Sequence, residues 1–187
     1  TIGAGDFLLY LLGPSVVSFA IAMYSRKTVM AQNLLVVITS VLVTTVGGLF
    51  GTAAFARLLG IGGKAGRILR LSLLPRNVTT PLAIAITNIL GGDISLAALV
   101  VVFTGIFGAT YGGRILTTLG VHDPVARGLG IGAAAQGLGV ASFVNEKEAF
   151  PFAAISMVLT AVGATTLVSI PFVKDALIAV ATGPNCD

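Results

Sequence analysis

The stretch ISLAALVVVFTGIFGATYGG, residues 94–113, is twenty positions long and carries no charged side chain. At 1.5 Å per residue, about twenty apolar residues of helix cross the hydrocarbon core of a bilayer. The pattern recurs on either side: runs free of Asp, Glu, Lys and Arg occupy 7–25, 28–56, 77–92, 94–113, 128–145 and 149–173. Soluble core helices would need polar faces that these runs lack. The chain therefore reads as an all-α polytopic membrane protein with about six transmembrane segments, a single membrane domain over residues 1–187. Composition agrees, with 56% hydrophobic and 10% charged residues and a mean hydropathy of +1.02.

The polar residues exclude several function classes. Eleven Lys and Arg against seven Asp and Glu leave a net charge of +4. The basic residues form no block, and no aromatic platform accompanies them, so no nucleic-acid partner is expected. The sole cysteine, Cys186, lies in the tail, which excludes a disulfide framework and a cysteine metal site. With one histidine and no clustered carboxylates, neither a catalytic triad nor a metal centre can be built, so no enzyme activity and no cofactor are expected. A cation/proton antiporter would want a carboxylate near the midplane, whereas Asp6, Asp93, Asp123, Glu146, Glu148 and Asp175 all fall at run ends. Thr1 directly precedes an apolar run without an initiating Met or a visible signal peptide. The chain is therefore expected to be processed or part of a longer protein.

Helix signals place the segments. The first span is expected from Phe7 to Tyr24, closed by Arg26 and Lys27, and the second from Leu34 to Leu59. Arg57, Lys64, Arg67, Arg70 and Arg76 make the following segment the most basic, and the positive-inside rule places it on the stromal or cytoplasmic side. The fourth run predicts a helix from Ser95 to Leu119. Its Gly105, Ala109 and Gly113, and its Gly108 and Gly112, stand at four-residue spacing that admits a close neighbouring helix. Asn145 and Glu148 read as a capping box for a last span from Ala149 to Phe172. Lys174 and Asp175 close it, leaving 176–182 along the surface.

Two runs are interrupted. In Leu73-Leu-Pro75-Arg-Asn-Val-Thr-Thr80-Pro81, Thr80 reads as an N-cap and Pro81 as the first helical residue. A helix from Pro81 to Leu90 rises about 15 Å, half a bilayer. Arg76 to Thr80 would then be unwound backbone at membrane depth, tolerated only when buried in protein or lining a wet cavity. The fifth run begins with Asp123 as N-cap and Pro124 as first helical residue. It then carries Gly128, Gly130, Gly132, Gly137 and Gly139, enough glycine to permit either close packing or a break. Gly128-Leu-Gly-Ile-Gly-Ala133 lacks the preceding strand of a dinucleotide fingerprint, so that reading is dismissed. Paired interrupted segments point to a midplane substrate site. The expectation is that 75–81 and 123–142 meet to form one, with glycine-mediated packing alone as the plainer account.

At these segments the chain resembles the LrgB/CidB membrane family. The resemblance rests on Leu11-Leu-Gly-Pro-Ser-Val-Val17, Ser72-Leu-Leu-Pro-Arg-Asn-Val-Thr-Thr-Pro-Leu-Ala83, Thr104-Gly-Ile-Phe-Gly108, Asp123-Pro-Val-Ala-Arg-Gly128 and Gln136-Gly-Leu-Gly139. Ala149-Phe-Pro-Phe-Ala-Ala-Ile-Ser156 and Val168-Ser-Ile-Pro-Phe-Val173 are more similar to its plastid branch. That branch implies a chloroplast inner-envelope carrier exchanging glycolate and glycerate, with an LrgA-like half upstream that packs against this one. The bacterial branch implies a plasma-membrane protein, and its naming implies the rival function of an antiholin-like regulator. Either form contacts lipid and could homo-oligomerise. Family members commonly carry His where this chain has Gln136, so a proton carried there elsewhere must be handled differently here.

A small 2-hydroxy carboxylate needs positive charge and hydrogen-bond partners. Arg76 can grip a carboxylate bidentately or simply mark the interface with Arg67 and Arg70. Arg127 can do the same or pair with Asp123 at its helix start. Asn77, Asn88, Thr79 and Thr80 donate and accept, although Thr80 has a sufficient role as a cap. Gln136, polar among Ala and Gly, is the foremost site residue, with Gly137 and Gly139 beside it. His122 reads as an interface histidine or, through its near-neutral pKa, as a proton relay.

Overall fold

The computed structural model describes residues 27–63 and 66–183, together with Val17, Ile21 and Tyr24. The expected first span falls almost wholly outside the described residues, as does the tail at 184–187. The described chain is helical throughout: α1 Lys27–Gln32, α2 Leu34–Leu58, α3 Gly66–Leu73, α4 Thr80–Leu90, α5 Ile94–Thr118, α6 Pro124–Ser142, α7 Phe150–Ser169 and α8 Pro171–Thr182. Three of these, α2, α5 and α7, are long and apolar enough to cross a membrane. Leu35, Val43, Leu99 and Phe103 on them are each at least 66% exposed, as side chains that meet lipid should be. The protein is an α-helical membrane protein.

The remaining apolar segments do not cross. Take end A as the side where α2 finishes and end B as the side where it begins. At end A, α3 enters just after α2, and a Cβ on its first residue, Gly66, would strike the Ile61 carbonyl. Residues 74–78 continue as single turns, with Leu74, Arg76 and Val78 amides bonding Leu71, Leu73 and Pro75 carbonyls. Thr79 then turns extended (φ −65°, ψ 148°) and α4 runs back. The chain returns beside the last turn of α3: the Asp93 amide donates to Ser72 Oγ at 2.7 Å. From there α5 crosses to end B.

The fifth run repeats this from the other side. Along α5, a Cβ on Gly112 would collide with Ile131 and one on Gly108 with Ala135, while one on Gly105 would lie 2.9 Å from Leu138 and one on Gly113 3.6 Å from Phe143. Residues 131 and 135 thus climb α5 from end B, and 138 and 143 descend it. The reversal falls at Gln136, whose backbone (φ 51°, ψ −143°) is not helical. Gly139 then packs back on Ala135 and Ile131. α6 is therefore a re-entrant hairpin with arms 124–135 and 137–142, not a span, and α3–α4 is its counterpart from end A. Of the six apolar runs, three are long and apolar enough to cross, the two expected to be broken re-enter as hairpins, and the first lies almost wholly outside the described residues.

Glycine makes the second hairpin possible. A Cβ on Gly128 or Gly132 would run into the backbone of α7 at Ala149 and Ala153. The spacing read as small-residue packing on α5 serves the same purpose, seating both arms against that helix.

Three boundary expectations change. The N-cap of α4 is Thr79 rather than Thr80, with Pro81 in the first turn and no side-chain cap bond. The Asn145–Glu148 capping box does not form: the Ala149 and Phe150 amides both donate to the Glu146 carbonyl, and α7 is capped by Ala149 without a side-chain bond. Residues 176–182 are not a surface tail but half of α8, with Leu177 and Ala181 fully buried against Leu49 and Ala53 of α2. Arg70 is 6% exposed; it donates to the carbonyls of Ile61 (2.9 Å), Ala181 (3.3 Å) and Gly63 (3.4 Å). It therefore ties the end-A connections together.

Candidate functional site

The two hairpin tips meet. Gln136 Nε2 donates to the carbonyl of Arg76 and to that of Val101, each at 3.3 Å. The turns at 74–79 free their backbone groups because Pro75 has no N–H and Thr79 is extended. Gln136 is 6% exposed and spends its amide on those groups. Among the described residues it is the only one other than glycine with positive φ, a strained conformation of the kind that concentrates at functional sites.

Arg76 turns its side chain the other way, toward α2. Its Nε donates to Thr52 Oγ1 at 3.1 Å, and neither Nη has a partner among the described residues. Arg76 lines two cavities. One, about 500 Å³, runs from mid-membrane toward end A and is lined by Gly47, Gly51, Thr52, Phe55 and Ala56. The other, about 280 Å³, runs toward end B between α5 and the second hairpin, past Gly108, Gly112, Ile115, Gly130 and Ala134. Asn77, next to Arg76, is 7% exposed. A Cβ on Gly48 would lie 2.8 Å from its Nδ2, and its Oδ1 has no hydrogen-bond partner.

The sequence-predicted residues divide into those at this junction and those elsewhere. Arg76, Asn77, Gln136 and Gly137 are at the tips, Thr79 and Thr80 are half-buried at the start of α4 beside them, and Gly139 packs the returning arm. Arg127 stands nine residues from Gln136 along its arm, about 13 Å away at helical rise. It does not pair with Asp123, whose Oδ2 caps the Ala126 amide at 2.8 Å. Instead it grips Glu146 with two bonds, Nε to Oε2 at 2.9 Å and Nη2 to Oε1 at 2.7 Å. Its Nη1 donates to Thr117 Oγ1 and the Val121 carbonyl. Glu146, in the loop between α6 and α7, is held below the usual carboxylate range, first by the hydrogen bond from Arg127. The pair clamps the two ends of the hairpin at end B, beside a separate cleft of about 560 Å³ that also holds Arg114. Asn88 and His122 are exposed.

Sequence reasoning missed Thr52, the Val101 carbonyl and Glu146. The glycines at 47, 48 and 51 were a signal for Thr52, since they mark the face of α2 where a hairpin tip comes close. No local pattern announces the other two. Among the described residues no group of three or more His, Cys, Asp and Glu could hold a metal ion.

Two re-entrant hairpins entering from opposite ends and touching at mid-membrane define a membrane protein of the broken-helix class. The LrgB-like family model matches residues 3–174, and the chain belongs to that family. It is 39% identical over 180 residues to plastidal glycolate/glycerate translocator 1 of Arabidopsis thaliana, covering 95% of this chain and 34% of that protein. It is 31% identical over 169 residues to the uncharacterized protein YwbG of Bacillus subtilis, covering 90% of this chain and 72% of the relative. It is 30% identical over 167 residues to the holin-like protein CidB of Staphylococcus epidermidis, covering 89% and 71%. The chain thus spans about a third of the translocator's length. No solved structure matches it.

Proposed function

We propose that this chain is the substrate-binding membrane domain of a carrier that exchanges small 2-hydroxy carboxylates, glycolate and glycerate, across the chloroplast inner envelope. The observation that carries this reading is Arg76: a guanidinium at the crossing of two hairpin tips, with neither Nη partnered among the described residues, on a residue that lines a cavity. An arginine at membrane depth costs about 2.5–3.5 kcal/mol on insertion scales, a cost that structure alone does not require there. Its free Nη pair matches the two oxygens of a carboxylate. Asn77 Oδ1 is left to accept from a substrate hydroxyl, and the Thr79 hydroxyl is not spent on capping α4. The substrate names and the chloroplast come from the name of the Arabidopsis relative; the inner envelope is what the resemblance to the plastid branch implies. An LrgA-like half upstream is part of the same proposal, and so is placement of end A on the stromal side.

The test is uptake of labelled glycolate into proteoliposomes preloaded with glycerate, using the intact protein. Saturable counter-exchange is expected. Arg76→Lys keeps the charge but not the fork and should raise KM at least about tenfold; Arg76→Ala should abolish exchange in protein that still folds. Leakage of unrelated neutral solutes in place of exchange would overturn the carrier reading in favour of the holin-like one.

A further inference from the structure

The two halves of the described chain are one motif used twice, inverted. α2 and α5 are each 25 residues long and begin 60 positions apart, at 34 and 94. Each crosses the membrane and is followed by a hairpin that re-enters from the end it has just reached, so the two units run in opposite directions. Gly48 of α2 and Gly108 of α5, again 60 apart, are both positions where a Cβ would meet the adjacent hairpin, at Asn77 and at Ala135. Arg76 and Gln136, the tip residues, are 60 apart as well. Such inverted repeats place substrate at the repeat interface.

The two cavities obey the same relationship. Gly47, Thr52, Phe55 and Ala56 line the cavity toward end A, and the residues 60 positions on, Phe107, Gly112, Ile115 and Leu116, line the cavity toward end B. Only one of the two tip positions carries charge: the counterpart of Arg76 is neutral Gln136. Arg76 is also the one residue common to both linings.

We propose that the two cavities are alternative mouths of a single anion site at Arg76, one opening to each side of the membrane. The proposal rests on the carrier reading above. A symmetric pair of cavities with one shared cation is what a site reached from either side in turn requires; two independent sites would need a charge in each. In the arrangement seen here Thr52 holds Arg76 on the end-A side, and the equivalent position, Gly112, offers no hydroxyl.

The symmetric pair Phe55 and Ile115, 59% and 44% exposed, gives the test. Phe55→Cys and Ile115→Cys are placed singly in the intact protein with its native cysteines replaced. A membrane-impermeant maleimide is then applied to spheroplasts and to inverted vesicles, with and without saturating glycolate. Phe55→Cys is expected to react at least about tenfold faster from one side, Ile115→Cys from the other, and glycolate should slow both. Reaction of both cysteines from the same side, or of either equally from both sides, would overturn two-mouthed access. So would glycolate protecting neither in vesicles that exchange it. Exchange of labelled glycolate is measured on the same vesicles. Labelling from opposite sides with no exchange would overturn the carrier reading and leave the two mouths standing; exchange with one-sided labelling would do the reverse.

Discussion

Gln136 and Arg76 are 60 positions apart in the chain, yet the side-chain amide of one donates to the backbone carbonyl of the other at 3.3 Å. That bond joins two hairpin tips that enter the membrane from opposite ends. In a bilayer core every freed backbone group needs a partner within the protein. Gln136 supplies two, to Arg76 and Val101, and holds an unfavourable backbone conformation while doing so.

Strain and bonding at Gln136 can be separated. A φ of 51° with ψ −143° costs on the order of 1–3 kcal/mol for a residue other than glycine, and each hydrogen bond contributes about 0.5–1.5 kcal/mol. Gln136→Ala keeps the strain and loses both bonds, so it should unfold at clearly lower temperature in detergent. Gln136→Gly relieves the strain and should fall within a few degrees of the parent. An alanine variant more stable than the glycine variant would show that the backbone at 136 is not held in this conformation.

The glycines of the second hairpin should sort by what their Cβ would meet. At Gly132 the obstacle is the Ala153 backbone, which cannot rotate away. Gly132→Ala should therefore cost about 1–3 kcal/mol or more, the range of overpacking, and lower yield and melting temperature. Gly47 faces open space, and Gly47→Ala should be neutral. Equal effects of the two in a thermal-shift assay would contradict the packing of α6 on α7.

Arg70 is expected to be structural, not part of transport specificity. Removing its guanidinium strands the carbonyls of Ile61, Gly63 and Ala181 near end A. Arg70→Met should destabilise by about 2–4 kcal/mol, while KM for any carboxylate in the folded fraction stays unchanged. A selective KM rise with unaltered melting temperature would reverse that assignment.

The Arg127–Glu146 clamp predicts a pH dependence. The folded state holds Glu146 below its ordinary value, chiefly through the Arg127 hydrogen bond. The contribution is therefore complete above the unfolded carboxylate range, near pH 4.5, and is lost as pH falls through the lower folded value. Glu146→Gln should melt below the parent at pH 7, by less than about 1 kcal/mol because the carboxylate is partly solvated, and the gap should close toward pH 3. A gap that persists at pH 3 would point to packing instead of charge.

Much of the helical outline was legible without coordinates. The second span was expected at 34–59 and is found at 34–58; Asp123 and Pro124 open their helix as read; the break before α4 lies where Pro75 and Pro81 put it. These are local matters of hydropathy, capping chemistry and proline geometry. Direction was not legible. An apolar run has the same hydropathy whether it crosses or doubles back, and the reversal at Gln136 depends on one residue's backbone angles. Those angles are held by carbonyls 35 and 60 positions away. Arg127 illustrates the same limit, because Asp123 was its nearest acidic neighbour in sequence and Glu146 became its partner only once the hairpin closed.

Hydropathy, capping and proline geometry were enough to read this chain as a helical membrane protein and to mark where most of its described helices begin and break. It took the folded chain to reveal that two of the runs re-enter from opposite ends, that Arg76 and Gln136 stand at the same point, and that Thr52 and not Arg127 shares that point with them. Composition and spacing act along the chain, whereas a site at a crossing of hairpins is made by backbone groups that find their partners across it.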